Sequence, residues 1–74
     1  MKKPLGELYK GQKGRIDSFN DKALSLKLME MGFLPGEVIQ LSHIAPMGDP
    51  IAVSVSGYIL SLRLEEANTI IVEC

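Results

Sequence analysis

The chain has 74 residues, of which 46% are apolar and 23% charged, and a formal net charge of −1. That suffices for one domain, residues 1–74, with a modest core, since a domain of about 60 residues buries only about 60% of its unfolded surface; little room is left for a dedicated active-site cleft. No run approaches the roughly 18 to 20 apolar residues of a membrane span, and the near-neutral balance argues against a nucleic-acid binder.

Met1-Lys2-Lys3 runs straight into Pro4, Gly6 and Glu7 without the apolar stretch of a secretory signal, so a cytoplasmic location is expected. Leu5 and Leu8, three apart, predict a short helical turn within Pro4 to Tyr9 that lids the core. Lys10-Gly11 and Lys13-Gly14 break any helix, and Arg15 to Phe19 reads as a first strand with Ile16 inward. Asn20 is placed as the N-cap of a helix, with Asp21 in its first turn and Phe19 and Leu24 set as a hydrophobic staple. Leu24, Leu28 and Met31 then fall at helical spacing as a core-facing stripe, whereas Leu26 and Met29 widen the apolar arc beyond one buried face.

Lys27 to Val38 carries the strongest local chemistry. Gly32 follows the apolar pattern by one position, where the chain turns left-handed and a residue without a side chain enters at no steric cost. Phe33 is thereby positioned to pack back on Leu28. Pro35-Gly36 sets a fixed φ before a residue free to take positive φ, the requirement of a type II turn. A strand over Val38 to Ile44 follows, closed by the loop Ala45-Pro46-Met47-Gly48-Asp49-Pro50, which Gly48 and the prolines mark.

Ile51, Val53 and Val55 alternate with Ala52, Ser54 and Ser56, predicting a strand with one buried face. Gly57 supplies a tight turn and Tyr58 to Leu62 returns as the hairpin partner, with Tyr58, Leu60 and Leu62 on one face. Leu64 to Asn68 allows one helical turn, and Thr69 to Glu73 forms the last strand. Five short strands and one helix predict a mostly β fold, a small antiparallel barrel whose closure removes exposed edges.

Residues 1–27 hold seven basic against three acidic side chains, and residues 28–74 hold only Arg63 against six acids. This asymmetry is either an ordinary solvated surface or a face for an acidic partner or phosphate. The basic, glycine-bearing stretch Lys10 to Ile16 also occurs in RNA-binding barrels of the KOW type, but Tyr9 is the only aromatic beside it for stacking on bases. His43 is the single histidine and Cys74 the single cysteine, far apart in sequence, so they are weak candidates for a transition metal unless two chains share a site. No nucleophile has a base beside it and no phosphate-binding loop is present, which argues against an enzyme.

Lys27-Leu28-Met29-Glu30-Met31-Gly32-Phe33-Leu34-Pro35-Gly36, then Ala45-Pro46-Met47-Gly48-Asp49-Pro50-Ile51, then Leu60 to Ala67 and a terminal aliphatic strand, resemble the FeoA family of ferrous iron transport proteins. The resemblance covers nearly the whole chain. It implies an SH3-like antiparallel β-barrel with an inserted helix, acting without enzymatic activity or a required cofactor as a cytosolic accessory of the membrane transporter FeoB, and no nucleic-acid partner. Under this reading Leu26, Leu28, Met29 and Met47 are the candidate partner-binding residues, and Gly32, Pro35, Gly36, Gly48 and Pro50 are structural. A stand-alone metal-responsive or nucleic-acid-binding barrel is the alternative.

Overall fold

In the computed structural model, which describes residues 1–74, six strands form one antiparallel sheet. The strands are β1 (Lys2–Pro4), β2 (Lys13–Phe19), β3 (Val38–Ile44), β4 (Ile51–Val55), β5 (Tyr58–Leu62) and β6 (Ile70–Glu73), arranged in the order β1-β6-β2-β3-β4-β5. Helix α1 (Lys22–Glu30) joins β2 to β3, and the one-turn helix α2 (Leu64–Ala67) joins β5 to β6. The turn expected near the start is a 3₁₀ turn over Leu5–Glu7, and it buries Leu5 and the following Leu8.

Alternation along the strands sends Ile16, Ile39, Leu41, Ile51, Val53, Val55, Leu62, Ile70 and Val72 into one core, which Leu5, Leu8, Leu28, Phe33 and Ala67 complete. No polar side chain is buried. This core is held together by apolar burial, at about 25 cal/mol per Å² removed from water, rather than by internal polar networks.

The turn chemistry read along Lys27 to Val38 is realised in detail. Gly32 takes φ +109°, its N–H donates to the Met29 carbonyl at 3.0 Å, and the Phe33 N–H donates to the Leu28 carbonyl at 3.0 Å. This is the paired bonding of a Schellman stop. It carries Phe33 back onto Leu28, both fully buried. Gly36 takes φ +93° and the Glu37 N–H closes the next turn on the Leu34 carbonyl at 3.0 Å. In the 45–50 loop the Gly48 N–H closes a turn on the Ala45 carbonyl at 2.7 Å, and the Asp49 carboxylate accepts from the Leu64 N–H at 2.9 Å, anchoring the loop to α2.

Four expectations are corrected. The N-cap is Asp21, whose carboxylate accepts from the Leu24 N–H at 3.1 Å. Asn20 instead donates its N–H to the Thr69 carbonyl at 2.9 Å, which holds it in line with β2; Phe19 thus lies two residues ahead of the cap rather than one, although it and Leu24 both pack on the core. A sixth strand, β1, pairs with β6 through Lys2↔Glu73, Lys3↔Val72 and Pro4↔Ile71. Ser56 belongs to the β4–β5 turn rather than to β4, since it and Gly57 take φ 51° and 83°, as in a type I′ hairpin. Finally, the sheet coils around its core without hydrogen-bonded closure, because β1 and β5 have no strand beyond them.

Candidate protein-interaction surface

The sequence of α1 places its apolar residues on two sides. Leu28 is fully buried, and Leu24 and Met31 pack against the core beside it. Leu26, turned about 200° from Leu28 around the helix axis, is 67% exposed. Met29 is half-buried and, three residues on from Leu26, neighbours it on the outer side. Lys22 and Lys27 flank this apolar strip and are exposed.

Met47 projects from the 45–50 loop at 92% exposure. Both segments are tied to α2: Lys27 Nζ reaches Glu66 Oε2 at 3.4 Å, and Asp49 holds the Leu64 N–H. Glu66 also accepts from the Arg63 N–H at 3.0 Å, capping the first turn of α2. The helix and the loop thus share one short element as their common anchor. Leu28 is withdrawn from the partner-binding set, because a side chain with no solvent exposure cannot meet a partner while the fold is intact. Leu34, 47% exposed beside the Gly32 stop, is an apolar residue of this region that the helical pattern alone did not single out.

His43 is exposed and lies opposite Ala52. The register between Leu41 and His43 shifts by one residue, so Ser42 is a bulge and His43 turns to the outer face instead of following Ile39 and Leu41 inward. Cys74 is exposed beyond β6, where its N–H donates to the Met1 carbonyl at 2.9 Å. No three His, Cys, Asp or Glu side chains converge on a metal-sized site. On the outer face of β2, β3 and β4 a shallow groove of about 230 Å³ is lined by Lys13, Val38, Gln40, Ser54 and Ser56. The Gln40 amide is committed to the Gly11 carbonyl at 3.0 Å and the Ser56 hydroxyl to Glu37 at 2.6 Å. Ahead of the basic stretch Lys10 to Ile16, the Lys3 ammonium lies 5.4 Å from the centre of the Tyr9 ring and covers one of its faces.

The one shifted ionisation lies away from this region. The Ser18 hydroxyl, donating at 2.9 Å, and then the Lys2 ammonium at 3.2 Å hold the Asp17 carboxyl below the ordinary carboxylate range.

A family model described as FeoA domain matches residues 3–74. The chain belongs to the FeoA family. The family is linked to ferrous iron transport and is not a known enzyme family. An Fe(2+) transport protein A/Fe(2+) transporter FeoB fusion protein of Porphyromonas gingivalis is 36% identical over 70 residues. The match takes in 93% of this FeoA chain but only 8% of that relative. Among solved structures, the FeoA-like protein of Clostridium acetobutylicum superposes with a TM-score of 0.91 at 38% identity, covering 97% of this chain and 85% of that one. FeoA of Stenotrophomonas maltophilia, determined in complex with zinc and described as an SH3 domain protein, gives a TM-score of 0.83 at 29% identity over 95% of this chain and 88% of its own. The coiled antiparallel sheet with an inserted helix is therefore an SH3-like FeoA fold. No helix of this FeoA domain is long and apolar enough to cross a membrane.

Proposed function

We propose that this FeoA domain is a non-enzymatic accessory of ferrous iron uptake, working on the cytosolic side by direct contact with the FeoB transporter. The observation that carries this reading is the fusion relative, in which a homologous segment is joined in one chain to a FeoB transporter. Fusion supplies a high effective concentration without a strong interface. Contact with a transporter needs a surface, and on α1 Leu26 and Met29 offer apolar area with Lys22 and Lys27 beside it, while Met47 offers more from the 45–50 loop. Methionine side chains adapt their shape to a partner, and the flanking lysines favour an apolar partner patch edged with carboxylates.

The test is binding of the purified protein to the cytosolic domain of FeoB and to the full transporter, at two salt concentrations, with and without ferrous iron. Saturable binding is expected, weakened about tenfold or more in Leu26→Gln and Met29→Gln variants that remain folded. Unchanged binding in both variants would remove this surface from the reading. Absence of binding under every condition, together with affinity for metal or RNA, would replace the reading itself.

A further inference from the structure

The two edges of the sheet differ in chemistry. β1 carries Lys2, Lys3 and Pro4, and charge and proline on an edge are what prevent it from templating another strand. β5 reads Tyr58-Ile59-Leu60-Ser61-Leu62, with neither a charge nor a proline. Tyr58 is 71% and Ile59 68% exposed.

The register identifies the free backbone groups. A two-residue turn makes Val55↔Tyr58 a hydrogen-bonded pair, and alternation makes Val53↔Leu60 and Ile51↔Leu62 pairs of the same kind. The N–H and C=O groups of Ile59 and Ser61 therefore point away from β4. Neither residue bonds to any turn, loop or side chain of its own chain.

We propose that β5 pairs antiparallel with β5 of a second copy of this chain, about a two-fold axis at Leu60, so that two six-stranded sheets become one. In this register Ile59 faces Ser61 of the second copy and Ser61 faces its Ile59. Every free backbone group of the two strands is then used, while Leu60 faces its own equivalent. No like charges meet across the axis, because β5 has none.

The flanking residues favour a second copy over an unrelated strand. Arg63, one residue beyond β5, is exposed and makes no ion pair in its own chain. The two-fold register sets it opposite Gly57 of the second copy, next to Ser56, whose hydroxyl donates to the Glu37 carboxylate at 2.6 Å. An unpaired cation is thus brought to an acid twice in each dimer. A five-residue edge makes a small interface, so the pairing is weak and concentration-dependent.

The experiment combines sedimentation equilibrium with amide hydrogen exchange by NMR on the full chain, from about 10 μM to about 1 mM, the range in which so small an interface associates. The expected result is an average mass rising towards the dimer and protection of the Ile59 and Ser61 amides growing with concentration, while the Leu60 amide, already bonded to β4, does not change. Ile59→Lys and Ser61→Pro should each weaken association about tenfold or more with melting unaltered, since Ile59 faces solvent and the Ser61 N–H has no native partner. Arg63→Glu should weaken it as well, and Arg63→Glu combined with Glu37→Arg should restore it. A monomer throughout, with unprotected Ile59 and Ser61 amides, would overturn the proposal. So would a dimer indifferent to both Ile59→Lys and Ser61→Pro.

Discussion

Leu28 and Leu26 stand two residues apart on α1, yet one is fully buried and the other 67% exposed. The same residue type does two kinds of work because a helix advances about 100° per residue. Leu28 meets Phe33, brought back by the Gly32 stop, and its burial stabilises the fold. Leu26 meets solvent and adds little to folding, which makes its apolar side chain available to a partner. The difference separates what holds the domain together from what it offers to another molecule, within a helix of nine residues.

The sharpest way to break this contrast is to make both positions polar. Leu28→Gln removes a core side chain and buries an amide without a partner, at a cost of about 3 to 5 kcal/mol. Set against the roughly 4 to 11 kcal/mol total for a chain of this length, that leaves much of the protein unfolded, as urea denaturation followed by circular dichroism would show. Gly32→Val tests the stop that delivers Phe33 to Leu28: a β-branched residue at φ +109° costs about 1 to 2 kcal/mol or more, read as a lowered urea midpoint. Met29→Gln, at a half-buried position, should cost about 1 kcal/mol or less, and Leu26→Gln about 0.5 kcal/mol or less. A large loss of stability in Leu26→Gln would erase the contrast.

The smallest effect lies outside the helix and depends on pH. Because Ser18 and Lys2 lower the Asp17 pKa in the folded state, the folded protein binds this proton less readily than the unfolded chain. The resulting stability is present above the ordinary carboxylate pKa of about 4 and is lost as pH falls through the folded value. Asp17→Asn should therefore lower stability slightly near neutral pH and flatten the acid limb of the stability profile, measured by urea midpoints across acidic pH.

Much of the region around α1 was legible in the residues. Gly32, Pro35 and Gly36 each answer a backbone demand set within four positions, and the φ values of the two glycines follow. The Leu24, Leu28 and Met31 stripe and the Ile51, Val53, Val55 face follow from simple periodicity. The cap was less decided, because Asn20 and Asp21 are adjacent and both are good caps; the Asn20 bond to Thr69, which settles the matter, comes from the far end of the chain. Leu28 belongs in sequence both to the core stripe and to the wide apolar arc, and such an arc does not say how much of itself the rest of the protein will cover.

Sequence alone determined the helix stop, the Pro35-Gly36 turn that follows it, the buried face of β4, the β4–β5 hairpin and the family, because these depend on residue chemistry at short spacing. The tertiary structure decided that Lys2, Lys3 and Pro4 become a strand, since nothing in them favours β structure until the edge of β6 is there to pair with. It also decided that a bulge at Ser42 turns His43 outward and that the sheet ends in one guarded and one open edge. Strand partners and register are set by segments far apart along the chain, and a one-residue shift between them reverses the face on which a side chain lies.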